Sequence, residues 1–354
     1  MKCIFLLSGD YVDIAEEEVI SLFGIKDCRI IGRLLIADLN INESSYGKII
    51  KRLALTKNIY RLLFECRLKE LDKKMQSYEW KSVYKGNFCL RIKKNDSGTK
   101  SKINLNFFEK DLAGYVWSAV KNPKVNLKNP KTKIELFFAE GMAYCGLLIH
   151  ESKENFESRK PHLRPFPHPS SLHPKLARAL VNVTGVKEND LLIDPFCGTG
   201  GFLIEAALMK IKIAGCDINR IMVDGCKENL KNFKIKNFKV FNANALKILH
   251  KSDYVLTDLP YGINSNACLS NENNSWKSNR INLKIQKKDF VENLEQFYLK
   301  FLKQLRKSLK NKAVIIFPSF ADYKVLLKKS KFKIEKEFSI YIHRSLTRKI
   351  VRIS

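Results

Sequence analysis

Two short segments of this chain each join an acidic residue to a turn that follows a strand-like apolar run. The first is DPFCGTGGF over residues 194–202, where the apolar run ends at Asp194 and a glycine-rich turn leads into a helix-forming stretch. The second is DLPYG, which begins at Asp258 after the run YVLT. Turns of this kind lie at the carboxyl edge of a parallel sheet, where backbone can approach a cofactor. We therefore predict a cofactor loop at the first segment and, at the second, a site for a flat base with an exocyclic amine.

The residues after the next two strand-like runs identify the cofactor. KIAGCD ends at Asp217, where a carboxylate can accept hydrogen bonds from both ribose hydroxyls of a nucleoside. NANA then puts the Asn244 side chain and the Ala245 backbone where an adenine edge would lie. This pattern indicates S-adenosylmethionine. A nicotinamide cofactor would also use the ribose-binding acid, but an enzyme that transfers hydride would have no use for a motif that binds an amine. The predicted cofactor contacts are Asp194, Phe196, Gly198, Gly200, Asp217, Ile218, Asn244 and Ala245.

The second motif suits methyl transfer to an amine. The lone pair of an exocyclic amine is delocalised into the base, so the nitrogen must rehybridise before it attacks. The Asp258 carboxylate and the carbonyl of Leu259 or Pro260 can accept its two N–H groups, and Tyr261 can stack on the base. We predict Asp258, Pro260 and Tyr261 as catalytic residues, and whether Asp258 also takes the proton stays open, since water can serve.

Alternating strands and helices over residues 172–354 predict a mainly parallel, doubly wound sheet of the Rossmann-like methyltransferase class. Helices are expected after LLIDPF and KIAGCD and over residues 290–309. The late strands KIEKEFSIYI and SLTRKIVRIS are only a few residues apart, which predicts an antiparallel pair. The Asn-, Ser- and Lys-rich residues 263–289, with Trp276, predict a mobile loop over the substrate pocket.

The amino-terminal half predicts two further α/β units, over residues 1–59 and 60–150. The first has the strand-like runs CIFLLS and RIIGRLLIADL, the helical run DIAEEEVISLF and a helix over residues 43–55. The second has the strand FCLRIKK, a helix over residues 105–120, and the hairpin KIELFFAEGMAYCGLLI turning at Glu140 and Gly141. The helix is expected to bury one stripe: Leu105, Phe108, Leu112, Val116 and Ala119.

Residues 151–171 are rich in proline and lack a periodic apolar face, which predicts an extended linker between the halves. Arg159, Lys160 and Arg164 would there present positive charge to a phosphate backbone, although an ordinary solvated linker fits the composition equally well.

Composition points to a soluble globular protein with a polyanionic partner. The chain is 45% hydrophobic and 28% charged, and its formal net charge of +28 suits nucleic acid, or reflects a lysine-biased proteome. No apolar run is long enough to span a membrane, and the apolar stretch of MKCIFLLSGD is too short for a secretory signal. The cysteines are scattered without a CxxC pair, which indicates free thiols in a reducing cytosol and no metal site.

These motifs together resemble the archaeal tRNA guanine-10 N2-dimethyltransferases. The resemblance rests on RKPHLRPFPHPSSLHPKLARALVNVTGV, DPFCGTGGFLIEAAL, TDLPYG and HRSLTRKI, and on THUMP-like sequence at FCLRIKK and VNLKNPKTKIELFFAEGMAYCGL. It implies a ferredoxin-like domain over residues 1–59, a THUMP domain over 60–150, a linker over 151–171 and a Rossmann-like methyltransferase domain over 172–354. It also implies one or two methylations of N2 of guanine 10, a base that must be flipped out of its stem.

Two positions depart from the family pattern. Leu259 replaces the first proline of DPPYG, and Asn244 replaces an aspartate, which is expected to weaken cofactor binding. The partner is expected to be tRNA, bound in the cytoplasm by a monomer with no obligate protein partner and no membrane. The alternatives are N2-guanine methylation at another tRNA position or in ribosomal RNA, amino-methylation of DNA, and a catalytically silent RNA-binding protein.

Overall fold

The computed structural model of the chain describes residues 1–39, 43–94, 108–169, 171–248, 251–261, 283–343 and 346–354. The chain divides into two units, Met1–Glu154 and Asn155–Ser354. Residues 263–282 of the predicted loop, including Trp276, lie outside the described residues. Residues 283–289 are not a loop, because they begin the helix Leu283–Ser308, which starts seven residues before the predicted position 290.

One seven-stranded mixed sheet organises the first unit. Its strands are β1 (Lys2–Leu7), β2 (Cys28–Ile31), β3 (Leu34–Asp38), β4 (Thr56–Arg67), β5 (Phe88–Lys94), β6 (Thr132–Ala139) and β7 (Met142–Glu151), in the spatial order β2-β3-β1-β4-β7-β6-β5. Its helices are α1 (Val12–Phe23), α2 (Glu43–Ile50), α3 (Leu71–Ser77) and α4 (Glu109–Ala119). Among the strands of this unit that the structure describes, β5 and β6 pair in parallel and the other neighbours pair antiparallel. The predicted boundary at 59/60 lies inside β4, which pairs with β1 on one side and β7 on the other, and the division into two domains stays a prediction.

Two elements of the first unit differ from the prediction. The run RIIGRLLIADL is a hairpin of β2 and β3, because Gly32 and Arg33 form a turn. Helix α2 ends at Ile50, since the backbone N–H groups of Ala54 and Leu55 donate to the buried carboxylate of Glu18, each at 2.8 Å, and direct the chain into β4.

The hairpin of β6 and β7 is confirmed, but the α4 stripe is confirmed only in part, because Ala119 is half-buried and, of the other four residues, two are buried within the described part of the chain. Glu140 and Gly141 both have left-handed backbone, with φ of 53° and 73°, as a two-residue turn of this type requires. Leu112 and Val116 are buried as expected. Phe108, however, is 71% exposed because α4 begins one residue later, and Leu105 lies outside the described residues.

The second unit contains the other seven-stranded sheet. Its strands are β8 (Leu191–Asp194), β9 (Lys212–Asp217), β10 (Phe238–Asn242), β11 (Ser252–Asp258), β12 (Leu309–Pro318), β13 (Ile334–His343) and β14 (Leu346–Ile353), in the order β10-β9-β8-β11-β12-β14-β13. Its helices are α5 (Pro174–Val183), α6 (Gly201–Leu208), α7 (Arg220–Asn232), α8 (Ala245–Ile248), α9 (Leu283–Ser308) and α10 (Tyr323–Lys329).

The predicted Rossmann-like architecture is confirmed. The strands from β10 to β12 pair in parallel, while β14 pairs antiparallel with both β12 and β13. The chain winds outward from β8 through β9 to β10, and then returns to build β11 and β12 on the other side of β8. The junction of β8 and β11 is therefore the topological switch point, where ligands bind in open α/β sheets.

Helix α9 covers the central strands with one apolar face. Leu294, Tyr298, Phe301, Leu302 and Leu305 recur at helical spacing, and each is at most 1% exposed. They belong to one hydrophobic cluster with residues of β11 and β12. This packing holds the carboxyl end of β11, and with it the DLPYG turn, against a rigid support.

From Asn155 onward, the predicted linker belongs to the second unit and makes specific contacts there, whereas residues 151–154 belong to the first unit. Arg159 and Arg178 both donate to the Glu205 carboxylate, through Nε at 2.8 Å in each case, and Glu205 is fully buried on α6. Both guanidiniums also face the Phe156 ring, at 4.9 Å and 5.2 Å. These contacts fasten residues 156–159 and α5 to the helix that follows the cofactor loop.

The expectation that the linker arginines present their charge outward is wrong. The Arg159 side chain is 12% exposed and Arg164 is 4% exposed. The Arg164 Nε donates to the carbonyl of Arg159 at 3.1 Å, and burial lowers the pKa of its guanidinium. The physical reason is Glu205, since a buried carboxylate draws in cationic partners.

None of the described helices is long and apolar enough to cross a membrane. The eight cysteines within the described part of the chain are free thiols, as expected, and six of them are buried. Cys268 lies outside the described residues.

Replacing Glu205 with Gln keeps the side-chain shape but removes the charge that compensates Arg159 and Arg178. Breaking a buried ion pair from one side costs about 3–5 kcal/mol, so the urea midpoint of unfolding should fall clearly. The control Glu157→Gln removes an ion pair with Lys160 at a carboxylate that is 67% exposed, and it should leave the midpoint nearly unchanged. Equal shifts in the two variants would contradict a stabilising role for the buried cluster.

Candidate active site

The structure brings the two sequence motifs to adjacent strand ends. Strands β8 and β11 are parallel neighbours, with Val255 opposite Ile193, so Asp194 and Asp258 both leave the sheet at its carboxyl edge. The Thr257 hydroxyl donates to Asp194 Oδ1 at 2.7 Å and links the two turns directly. A cofactor at the first turn and an acceptor at the second would therefore share one edge of the sheet.

Asp194 is only 2% exposed and is held by short-range hydrogen bonds. Its Oδ1 also accepts from the backbone N–H of Phe196 at 3.2 Å. Burial, with a smaller contribution from the charges of Asp217 and Asp258, raises the pKa of Asp194 to about 7, although the hydrogen bonds from Thr257 and Phe196 act in the opposite direction. Asp194 is therefore a buried side chain that holds the first residues of the glycine-rich loop in place.

The glycine loop leaves space beside its backbone. Gly198 and Gly200 have left-handed backbone, with φ of 49° and 84°. A Cβ at Gly200 would lie 2.6 Å from Cys226 Sγ, so only glycine fits there. A Cβ at Gly198 would have no heavy atom within 4 Å, which identifies an open recess at the loop. The Phe196 ring packs edge-on against Phe301 of α9, with ring centroids 5.0 Å apart.

Asp217, at the end of the neighbouring strand β9, binds the backbone of the glycine-rich loop. Its Oδ2 accepts from the Gly198 N–H at 3.0 Å and its Oδ1 from the Asn219 N–H at 2.9 Å. Each oxygen keeps a second lone pair, so the carboxylate can still accept from a ribose. Ile218, the next residue, is 40% exposed beside it. The Asn242 amide donates to the carbonyls of Asp217 and Ile218, at 3.1 Å and 2.8 Å, and fixes this turn.

Asn244 serves a local structural purpose in addition to its predicted contact with adenine. Its Oδ1 accepts from the Leu246 N–H at 2.9 Å, at the start of α8. The Ala245 side chain is buried, at 4% exposure. An aspartate at position 244 could accept the same bond, so the substitution preserves this turn.

Asp258, Tyr261 and Arg348 form a closed ring of side chains. The Tyr261 hydroxyl donates to Asp258 Oδ1 at 2.6 Å, Arg348 Nε donates to the Tyr261 oxygen at 3.0 Å, and Arg348 Nη2 lies 3.2 Å from Asp258 Oδ2. Burial raises the pKa of Asp258, while the Arg348 guanidinium and the Tyr261 hydroxyl oppose the rise. Burial also raises the pKa of the Tyr261 phenol, which keeps it a neutral donor.

The two residues between Asp258 and Tyr261 are fixed by their backbone. The Leu259 N–H donates to the Ile316 carbonyl at 3.1 Å, and the Leu259 side chain is 2% exposed. The Pro260 carbonyl accepts from the Tyr298 hydroxyl at 2.7 Å. The Leu259 N–H thus attaches the turn to β12, a contact that a proline at this position could not make. Tyr298 already uses one of the two lone pairs of the Pro260 carbonyl, so we take the Leu259 carbonyl as the first candidate to accept from an amine.

Several residues of the site were missed by reasoning from the sequence. Thr257 and Arg348 stand inside the strings TDLPYG and HRSLTRKI, yet nothing in those strings reveals that they contact the two acids. A second missed group lies on the linker side of the loop. The Asn229 amide donates to the carbonyls of Phe166 and Thr199, at 2.9 Å and 3.1 Å, and so ties linker and glycine loop together.

Comparisons with known proteins agree on the fold and the chemistry. Residues 161–273 match the model of the RMKL-like methyltransferase domain. The tRNA (guanine(10)-N2)-dimethyltransferase of Methanothermobacter thermautotrophicus is 32% identical over 316 residues, which cover 88% of this chain and 85% of that protein. The protein of the same name from Methanocaldococcus jannaschii is 31% identical over 291 residues, covering 74% and 82%. The crystal structure of TrmN from Thermus thermophilus shares the fold, with a TM-score of 0.51 at 16% identity over 100% of this chain and 99% of that one.

The raised pKa of Asp194 makes a prediction about stability. An unfolded aspartate has a pKa of about 3.9, whereas burial raises the pKa of Asp194 to about 7. Between these values the folded protein holds a proton that the unfolded chain releases, so this residue makes stability fall as the pH rises. Asp194→Asn keeps an oxygen that accepts from Thr257 and Phe196 but cannot titrate. Its urea midpoint relative to the unaltered protein should therefore be higher at pH 8 than at pH 5, and an equal difference at both pH values would contradict the assignment.

Proposed function

This chain belongs to the tRNA (guanine(10)-N2)-dimethyltransferase family, and on that basis we propose that it transfers methyl groups from S-adenosylmethionine to N2 of guanine 10 in tRNA. The observation that carries the proposal is the hydrogen bond from Thr257 to Asp194, which places the cofactor loop and the acceptor turn at one switch point. The proposed products are N2-methylguanosine and N2,N2-dimethylguanosine.

The residues of the glycine loop fit S-adenosylmethionine. The backbone at Gly198 borders open space, which a side chain at that position would occupy. Asp217 lies across it and has lone pairs left for a ribose, and Ile218 offers apolar surface for an adenine. When bound, the cofactor supplies an electrophilic methyl group on a sulfonium. We assign its binding to Asp194, Gly198, Gly200, Asp217, Ile218, Asn244 and Ala245, and we assign Phe196 to supporting the loop.

The acceptor turn is suited to an amine whose lone pair must become available. The Asp258 carboxylate and the Leu259 carbonyl accept the two N–H groups, which favours the tetrahedral nitrogen that attacks. Tyr261 offers a ring on which the guanine can stack. The Asp258 side chain is 22% exposed, so the amine must reach into a recess. A guanine paired in a stem cannot do this, and it must flip out at a cost of roughly a few kcal/mol.

The partner and location follow from the substrate. The net charge of +28 favours a polyanion, and it lies mainly on lysines of the surface rather than on the buried arginines near Glu205. We propose that residues 60–150 form a THUMP domain that binds tRNA, beside a ferredoxin-like domain over residues 1–59. We further propose that the protein acts in the cytoplasm as a monomer without an obligate protein partner.

The proposed function is tested with unmodified tRNA transcripts and labelled S-adenosylmethionine, followed by nucleoside digestion. Label is expected in both N2-methylated guanosines, because the amine is presented twice to the same turn. A control transcript exchanges guanine 10 with its pairing base, which keeps the stem but moves the guanine, and it should take up almost no label. Full labelling of the control would indicate methylation at another position. No label in any transcript would indicate an RNA-binding protein without catalysis.

Asp258→Asn should lower the methylation rate by roughly 10² to 10⁴-fold, because an amide cannot supply the anionic acceptor. Its affinity for tRNA, measured by filter binding, should stay within about twofold, since phosphate contacts dominate binding. The matched control is Asp253→Asn, an aspartate on the same strand that pairs with Lys310 at 3.4 Å and has a 38% exposed side chain. This control should methylate normally. A normal rate in Asp258→Asn would remove Asp258 from the mechanism.

A further inference from the structure

We propose that Arg348 is a positioning residue of the acceptor site, which holds Asp258 as a carboxylate and fixes the Tyr261 ring against which the base is placed. This inference rests on the proposed function and extends it to a residue of the last strand. Arg348 does not need to contact the reacting nitrogen, because it acts through the two side chains that do.

The guanidinium contacts both predicted catalytic side chains at once. Nη2 lies 3.2 Å from Asp258 Oδ2, and Nε donates to the Tyr261 oxygen at 3.0 Å. The guanidinium carbon also lies 5.9 Å from the centre of the Tyr261 ring. The planar fork of an arginine can direct separate N–H groups at two acceptors, whereas a lysine presents one point charge.

The backbone that carries Arg348 is held on both sides. Strand β14 lies between β12 and β13, where Arg348 is opposite Pro318 on one strand and Ile340 on the other. The Arg348 side chain is 9% exposed, so few water molecules compete for its contacts. A charged side chain on an interior strand of a sheet is held more rigidly than one on a loop.

The bond to Tyr261 sets the direction of the phenol proton. Because the Tyr261 oxygen accepts from Arg348, its own hydrogen points to Asp258 Oδ1, at 2.6 Å between the oxygens. The tyrosine is therefore restrained at both its acceptor and its donor position. Its ring plane is set before a base arrives, which reduces the entropy lost on binding.

The ion pair between Arg348 and Asp258 also affects whether Asp258 is ionised or protonated when the amine binds. A protonated carboxyl would present a hydroxyl where an acceptor is needed. Within the described residues, the titratable and charged groups that face Asp258 are Arg348 from β14, Tyr261 from the turn after β11, and Asp194 from the end of β8. Arg348 is the only cation among these three. Without it, burial would favour the neutral form.

The inference is tested by the pH profile of methylation in Arg348→Met and Arg348→Lys. In Arg348→Met, the acid limb of the kcat profile should move to higher pH by about one unit or more. The methylation rate should fall at both pH 6 and pH 8.5, because Tyr261 is no longer fixed, and each pH unit by which the acid limb moves should add up to about tenfold to the fall at pH 6, while KM for tRNA stays within about twofold. Arg348→Lys should restore the position of the acid limb, because the charge returns, but only part of the rate, because one contact is lost.

The matched control is Arg352→Met, on the same strand. Arg352 is likewise buried, pairs with Glu335 at 3.0 Å, and donates to the Val183 carbonyl at 3.1 Å. Its loss should lower stability without moving the pH profile. An unchanged acid limb in Arg348→Met, or an equal shift in Arg352→Met, would overturn the inference while the unaltered protein still methylates tRNA. An unaltered protein that labels no tRNA would instead overturn the proposed function, and this inference with it.

A readout that does not depend on activity accompanies these rates. Removing Arg348 should raise the pKa of Asp258 in the folded protein, so the loss of urea midpoint in Arg348→Met should be larger at pH 8 than at pH 5. In the Asp258→Asn background, the loss should no longer depend on pH. The same dependence in both backgrounds would show that Arg348 does not act on Asp258, and would overturn the inference.

Discussion

Two buried carboxylates at the ends of neighbouring strands are the constraint around which the second unit is arranged. Asp194 and Asp258 end β8 and β11, and the charge of Asp258 disfavours ionisation of Asp194. Hydrogen bonds from Thr257 and Phe196 stabilise the first, and Arg348 with Tyr261 stabilises the second.

The two acids are supported in different ways, and the difference fits their roles. Asp194 is compensated by neutral donors and has a pKa of about 7, so it serves as a buried scaffold for the loop. Asp258 has a guanidinium partner, which a residue needs if it must present an anionic oxygen to substrate. The arginines that contact α6, the helix after the glycine-rich loop, have a different role. Arg159 and Arg178 neutralise Glu205 and fasten the amino-terminal segment of the second unit to α6, so they add little to the surface charge that RNA would meet.

The order of the elements and much of the fold could be predicted from the sequence, because strands and helices in the second unit have distinct periods. The pairing of β13 with β14 followed from their short connection, and the turn at Glu140 and Gly141 from residue types that adopt left-handed backbone. Predictions failed where a distant partner decides the outcome. Helix α2 stops early because Glu18 binds the backbone after it, and Arg159 turns inward because of Glu205.

The types of residue at the two strand ends, the glycines of the loop and the class of chemistry that they allow can all be read from the sequence. Which distant side chains contact the two acids depends on how the strands assemble. Arg348 is 90 positions from Asp258 in the numbering, and the two meet because β14 inserts between β12 and β13. Local sequence sets backbone preference over a few residues, whereas the charge state of a buried acid depends on groups that only the assembled sheet brings within a few ångströms.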